Sequence, residues 1–389
     1  TRQVTEGSLF FALKGERFDG HNFVMQAMRA GAAAVVVDHE VYCPLPQIVV
    51  KDVKLALGVT SGFWRRGKSL GLVAVAGSNG KTTTTQMIAT ILKIRYGEHA
   101  LATEGNLNND IGVPLMLWRL RDHHETAVIE TGMNHVGEMR YLSGLVQPTI
   151  AVVTNAQREH QEFLQSVEAT ARENGEVFRV LPPNGIAVIS ADDPCRSIWL
   201  EMAQHTNVMT FGIDATADVN GCVKTEANGM KALIKTPIGT FEAKMKVRGE
   251  HNFKNALAAT AVCLGLNVSL EIIRQGLEAF EAIKGRGQVH TVGGLTVIDD
   301  AYNANPDSMK AAIDLLTSYP GPRFLVAGDM AELGSKSIEY HEEIGAYAAE
   351  KHIDAFFAIG EHMRYAVEKF RELSPQARSL WMDDRDQFM

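Results

Sequence analysis

Apolar positions along the chain fall into short runs separated by polar turns, and their periodicity changes along its length. Residues 9–13, 33–37 and 48–50 are apolar runs of strand length, with a helical pattern over 22–29 between the first two. That combination predicts a small α/β module. Residues 61–68 (SGFWRRGK) are basic and contain glycine, and are expected to form a linker. From residue 70 the run LGLVAVA predicts a buried strand that enters a glycine-rich turn, and a long helical pattern begins near Lys81. Further continuous apolar runs at 127–129, 150–153 and 186–189, with helical stretches between some of them, argue for a mostly parallel sheet with helices on its faces. Strands buried on both sides lose the alternation of polar and apolar residues.

Between residues 218 and 247 the pattern switches to that alternation. MKALIKT (230–236) and TFEAKMKV (240–247) flank Pro237-Ile238-Gly239, which predicts an antiparallel hairpin with one face on a core. A helical pattern resumes at 252–264. After Lys284-Gly285-Arg286-Gly287, runs at 295–298, 324–327 and 356–359 separated by helical segments predict a third α/β unit. The expected division is 1–68, 69–288 and 289–389, an α/β protein of three domains, in keeping with 389 residues at about 100–200 per domain.

Composition narrows the class. Hydrophobic residues make up 46% and charged residues 22%, enough to build packed cores. The net charge of −8 (38 Lys and Arg against 46 Asp and Glu) argues against nucleic-acid binding, which grips phosphates through cations. No apolar run approaches the ~18–20 residues that span a bilayer. Cys43, Cys195, Cys222 and Cys263 are scattered without metal-ligand spacing, and residues 1–10 do not resemble a signal peptide. A soluble cytoplasmic protein is expected.

The sharpest chemical feature is GSNGKTTTT (77–85), directly after the strand run ending at Ala76. Glycines let backbone N–H groups turn toward phosphate oxygens, and the following helix points its positive end at them. Gly77, Ser78, Asn79, Gly80, Lys81, Thr82 and Thr83 are therefore candidate ATP-binding residues, with Lys81 along the β- and γ-phosphates and the Thr82 hydroxyl on Mg²⁺. Val75 stands where the general G-x-x-x-x-G-K-T pattern has its first glycine. Glu130 ends the strand run AVIE, where a carboxylate faces the ligand crevice of an open α/β sheet and can hold Mg²⁺; the alternative is a solvated strand end. His160 follows another strand end, and alone is best explained as structural. GNLNNDIGVP (105–114) gathers Asn106, Asn108 and Asn109, suited to tight turns or to polar-ligand recognition. DDAYNANPDS (299–308) is either a capped turn or a second polar cluster.

Taken together, these segments resemble the Mur ligases over almost the whole chain. The resemblance rests on LFFALKGERFDGHNF (9–23), GSNGKTTT, GNLNNDIGVPL, VIETGMNHVGEM (128–139), RGEHNFKNALAA (248–259), KGRGQ (284–288), VIDDAYNANPDSM (297–309) and VAGDMAELG (326–334). It implies an N-terminal UDP-sugar module, a central P-loop ATPase sheet with an antiparallel β subdomain, and a C-terminal Rossmann-like domain. The implied activity is an ATP-dependent amide ligase of peptidoglycan precursor synthesis, joining D-alanyl-D-alanine to UDP-N-acetylmuramoyl-tripeptide through an acyl phosphate, as a monomer. Arg2, Lys14, Gly15, Asp19, Gly20 and His21, together with the three asparagines, would contact the substrates. Lys81, Glu130, His160 and Arg286 would be catalytic, with Thr82, Glu130 and His160 on Mg²⁺. Asn255, Arg286, Asp300 and Asn303 would complete the ATP site. The competing readings are a folylpolyglutamate synthetase, against which LFFALKGERFDGHNF speaks, and a nucleotide-binding regulator without ligase activity.

The chain departs from the family pattern at informative places. Many Mur ligases carry a carbamylated lysine that helps organise a second Mg²⁺; here the segment reads Ala171-Arg172-Glu173-Asn174-Gly175-Glu176, with Asn174 in that position. No lysine occurs between Arg158 and Leu181. The expectation is a site that works without a carbamate, either holding the second metal more weakly or compensating through Glu173 or Glu176. The usual A-H-L-E-G-F reads Glu159-His160-Gln161-Glu162-Phe163. A late Lys-Gly-Ser segment of the family does not occur, so the resemblance implies further residues beyond both ends.

Overall fold

The structure, a computed structural model, describes residues 4–383. Its centre is a six-stranded sheet in the spatial order Asn207–Phe211, Ile186–Ser190, Ile150–Val153, Gly71–Ala76, Thr126–Glu130, Ala100–Ala102, with every adjacent pair parallel. Alternate residues of Gly71–Ala76 serve two cores. Val73 and Val75 pack with Ile88 and Ile91 of helix Lys81–Tyr96, Phe253 of helix Glu250–Gly265 and Ile273 of helix Leu270–Ala279. Leu72, Ala74 and Ala76 pack with Leu142 of helix Glu138–Val146 and Phe178 of helix Val167–Arg179. Double burial is why the strand reads as an unbroken apolar run. The chain leaves Gly71–Ala76 toward one edge, returns beside it at Thr126–Glu130, then crosses to its other side at Ile150–Val153. The carboxyl ends of these three strands therefore border the crevice where such sheets bind ligands.

The antiparallel expectation for 230–247 holds, with a third strand ahead of it: Asn220–Glu226, Gly229–Thr236 and Gly239–Met245 form one sheet whose inward Met230, Ala232 and Ile234 join the central core. In the N-terminal part, Leu9–Phe11, Ala34–Val37 and Gln47–Val49 make a parallel sheet, beside the short hairpin Lys14–Gly15 with Phe18–Asp19. The helix expected at 22–29 is a 3-10 turn, Gly20–Phe23, running into helix Val24–Arg29. At the C-terminal end Phe324–Gly328, Ala355–Ile359 and Arg378–Met382 form a parallel sheet over a core containing Ile344, Phe356 and Phe370. Among the described residues no helix is long and apolar enough to cross a membrane.

Two expectations are corrected. Residues 61–66 are not a linker: they are the second half of helix Val53–Arg66, which starts at an Asp52 cap and packs on helices Gly112–Leu117 and Glu138–Val146. Arg65 is buried there, donating to the carbonyls of Val146, Gln147 and Lys68, while the Trp64 indole donates to Leu120. A guanidinium satisfied by carbonyls tolerates burial, so basic composition was a poor guide to exposure. The run at 295–298 is a strand, Leu295–Asp299, but it pairs antiparallel with Gln288–Val292 in a separate hairpin rather than joining the parallel sheet. Gly293 and Gly294, at φ 58° and 83°, supply the two left-handed positions that a two-residue hairpin turn needs.

Candidate active site

The strand Gly71–Ala76 ends in the loop 77–80, and helix Lys81–Tyr96 starts at once behind it. Gly80 has φ 81°, and a Cβ there would lie 2.3 Å from Asn255 Oδ1, so the turn and helix Glu250–Gly265 interlock only around a glycine. Asn255 also accepts from the Thr84 hydroxyl at 3.3 Å. The Lys81 ammonium folds back over the loop, donating to the carbonyls of Gly77 (2.5 Å) and Ser78 (2.9 Å) and to Glu159 Oε2 (3.1 Å). Thr82 Oγ1 and Asn108 Nδ2 both donate to Glu130 Oε1, at 3.0 and 2.7 Å. Glu130 is only 1% exposed, and its other oxygen, Oε2, is buried with no hydrogen-bond partner. Buried carboxylate oxygens are rarely left alone, so this one is set up to receive a cation or donor.

These groups line a cleft of about 1050 Å³ between the central sheet and the C-terminal part. Ser78, Asn79, Gly80, Lys81, Thr82, Thr83, Asn108, Asn109, Glu130, His160 and Asn255 line it from one side, and Arg286, Asp300 and Asn303 from the other. The Arg286 guanidinium lies 4.1 Å over the Tyr302 ring, which orients it at the cleft wall. Gly77 sits behind the loop, its N–H donating to Asn174 Oδ1 at 3.0 Å. Asn109 also accepts from Ile111 and Gly112 N–H groups, while Asn106 lies outside the cleft lining. Burial pushes the Asp193 carboxyl at the cleft wall up, against the N–H groups of Ala156 and Cys195 that donate to it.

Of the three expected magnesium ligands, Thr82 and Glu130 are in direct contact and His160 is not with them. His160 takes a left-handed backbone (φ 48°), and its Nδ1 contacts the Glu332 carboxylate from the C-terminal part; no hydrogen bond joins it to Glu130. The N-terminal motif forms its own cluster away from this cleft. Lys14 pairs with Asp38 (2.7 Å), the His21 ring contacts Asp19 (2.6 Å) and stacks on His39, while Gly15 ends the short strand Lys14–Gly15 and Gly20 opens the 3-10 turn Gly20–Phe23. Arg2 lies outside the described residues.

Arg158 and Asn305, which the sequence did not single out as site residues, hold the two walls of the cleft together. Arg158 donates to both oxygens of Asp307 and of Glu343 and lies over Tyr340. Asn79 and Asn305 exchange amide hydrogen bonds at 2.9 and 3.2 Å, so the phosphate-type loop touches the cap of helix Pro306–Thr317 directly. Asn305, followed by proline and by Ser308 at the third helical position, was legible as a cap; its second partner was not. The proposed compensators are placed elsewhere: Glu173 accepts from Gly137 and Met139 N–H at the start of helix Glu138–Val146, and Glu176 pairs with Arg179.

A glycine loop with its lysine, a strand-end carboxylate and a second α/β unit across the cleft are the parts of a P-loop nucleotide-binding enzyme. The family models bear on the same segments: the Mur ligase family catalytic domain matches residues 1–64, the Mur ligase middle domain 75–263, and the Mur ligase glutamate ligase domain 285–389. The chain belongs to the Mur ligase family. Within it, the chain is 40% identical over 365 residues to the UDP-N-acetylmuramoyl-tripeptide–D-alanyl-D-alanine ligase of Haemophilus influenzae, covering 92% of this chain and 79% of that protein. Its fold is similar to a crystal structure of MurF from Acinetobacter baumannii (TM-score 0.93, 36% identity, 99% of this chain and 83% of the other). It is also similar to MurF from Thermotoga maritima in complex with ADP (TM-score 0.87, 26% identity, 100% and 88%).

Proposed function

We propose that this chain joins D-alanyl-D-alanine to UDP-N-acetylmuramoyl-tripeptide at the expense of ATP, in peptidoglycan precursor synthesis. The observation that carries the reading is the partnerless Glu130 oxygen beside Thr82 and the Lys81 loop, in a chain 40% identical to a ligase of that name. ATP occupies the cleft with its phosphates on the N–H groups of 80–83 at the start of helix Lys81–Tyr96, those of Gly77, Ser78 and Asn79 being taken by Asn174 and Asn155, and Asn255, Arg286, Asp300 and Asn303 complete its site. The N-terminal cluster of Lys14, Asp19 and His21 holds the UDP-sugar, and Asn108 and Asn109 face the peptide. The units act as domains 1–68, 69–288 and 289–389, in the cytoplasm, where the four free cysteines are at home.

The donor set fits Mg²⁺, a hard cation that prefers carboxylate and hydroxyl oxygens. Glu130 and Thr82 would hold it, with His160 available on the cleft wall, and it would neutralise charge on the transferring phosphoryl group. Lys81 exchanges the Gly77 and Ser78 carbonyls for phosphate oxygens, and Arg286, braced on Tyr302, adds a second positive charge from the other wall. The terminal carboxylate of the tripeptide takes the γ-phosphoryl group, giving an acyl phosphate and ADP. The dipeptide amine attacks the acyl carbon, and the tetrahedral intermediate collapses to the amide with loss of phosphate. These steps depend on positioning and charge neutralisation, and a closed cleft protects the acyl phosphate from water. Phosphate release measured with each substrate omitted in turn is the test, run with diaminopimelate- and lysine-containing tripeptides. Release should require both the tripeptide and D-alanyl-D-alanine; release indifferent to the dipeptide would overturn the assignment.

A further inference from the structure

Two of the positions at which this chain departs from the usual family pattern touch each other. Asn174 stands in place of the lysine that other members carbamylate, and Glu159 stands in place of the alanine before the histidine. Asn174, 1% exposed, donates from Nδ2 to Glu159 Oε1 at 3.3 Å while its Oδ1 receives the Gly77 N–H. Glu159, 6% exposed, presents its other oxygen to the Lys81 ammonium at 3.1 Å. Burying a carboxylate this deeply is costly unless it is paired and hydrogen-bonded, and both partners here belong to the nucleotide loop or to the residue bracing it.

We propose that Glu159 supplies the buried negative charge that a carbamylated lysine supplies in other members, and that Asn174 is the positioning residue that holds it there. A carbamate and a carboxylate are both planar, singly charged groups with two acceptor oxygens, so one can take over the other's electrostatic duty. An asparagine is too short and too weakly nucleophilic to carry a carbamate, so the charge moves to the facing loop after strand Ile150–Val153 and the amide becomes its holder. Glu173 and Glu176 are excluded from this duty by their other partners. The charge of Glu159 offsets that of Lys81 and would offset that of a magnesium ion held by Glu130 and Thr82, and it does so without carbon dioxide. The inference rests on the nucleotide-site reading above.

The test is calorimetric titration of ADP with and without Mg²⁺, which needs no turnover. In the folded Glu159→Gln variant, Mg²⁺-free ADP affinity should equal or exceed the wild type's, because Lys81 is released. The enhancement by Mg²⁺ should fall about tenfold or more, the usual range for removing a group that supports a metal site. Asn174→Ala keeps the carboxylate but loses its holder, and should show a smaller loss in the same direction, so an unstable Gln variant leaves the question open to measurement. Removing bicarbonate and CO₂ should leave the wild-type enhancement unchanged. Undiminished Mg²⁺ enhancement in the folded variants, or a wild-type enhancement that collapses without CO₂, would overturn the inference. Failure of the wild type to bind ADP at all would instead remove the nucleotide-site reading.

Discussion

Replacing Arg158 with methionine removes the guanidinium that fastens the C-terminal part to the central sheet. It donates to Asp307 through Nε (3.1 Å) and Nη2 (2.6 Å), to Glu343 through Nη1 (2.6 Å) and Nη2 (3.2 Å), and lies 5.0 Å over the Tyr340 ring. The side chains of Arg158, Asp307 and Glu343 are 18, 22 and 31% exposed, between the buried and surface regimes. Breaking a fully buried pair costs about 3–5 kcal/mol and an exposed one under ~1. Four bonds that share one charge are not additive, and Lys310 still neutralises part of Glu343. About 2–3 kcal/mol is therefore expected, roughly a 30- to 150-fold shift of the docking equilibrium toward open, at ~1.4 kcal/mol per tenfold. The assay is energy transfer between dyes on the central and C-terminal parts, run as a double-mutant cycle with Asp307→Asn. A coupling of at least ~1 kcal/mol is expected. A coupling below about 0.5 kcal/mol with an unchanged distance distribution would refute the reasoning.

Three further outcomes follow from the site. Lys81→Ala should fold normally by circular dichroism yet lose at least ~3 kcal/mol of transition-state stabilisation, over about a hundredfold in rate; a folded variant with near-normal phosphate release would contradict this. Glu130→Gln should raise the Mg²⁺ requirement about tenfold or more while calorimetry finds UDP-N-acetylmuramoyl-tripeptide affinity little changed, and equal loss of both would put Glu130 in the other pocket. Burial alone would raise the carboxyls of Asp307 and Glu343, but the hydrogen bonds and charge of Arg158, helped by the charge of Lys310 and at Glu343 by its hydrogen bond, outweigh it and hold both below the ordinary range. Their contribution is then complete above the unfolded values of about 4 and is lost as pH falls through the lowered folded ones. The dye distance should stay constant from pH 7 to 5 and lengthen below about pH 4; opening centred above pH 5 would be wrong for this pair.

The residues whose duty is local were legible in the sequence. The run LGLVAVA, the glycine turn and Lys81 sit in consecutive positions, so order along the chain carries their geometry, and the alternation in MKALIKT and TFEAKMKV carries the facing of a sheet. Glu130 was legible because a strand end in a parallel sheet opens on one crevice. What the sequence concealed depends on contacts between distant segments. Arg158 and Glu343 are 185 positions apart, and nothing about either alone points to the other. Glu159 and Asn174 each stood out as a departure, but only their contact ties the two together. The linker expected at 61–68 failed for a similar reason: the carbonyls that satisfy Arg65 come from Val146 and Gln147, some eighty residues later.

That helix, Val53–Arg66, has a mechanical consequence. It begins only a few residues after strand Gln47–Val49 and is clamped along its length to the central part by Lys54–Asp110, Trp64–Leu120 and Arg65–Val146. Fourteen residues at 1.5 Å each make a strut of about 20 Å. The opposite wall of the cleft is joined by separate contacts, among them Arg158, the Asn79–Asn305 amides and the Glu162 N–H on the Glu332 carbonyl. One wall is thus tied to the centre through a continuous helix, and the other through contacts between separate elements. A ligand anchored at the N-terminal cluster, as proposed above, would meet the phosphate loop across a span held by that strut, so the length of its peptide would be something the strut can measure.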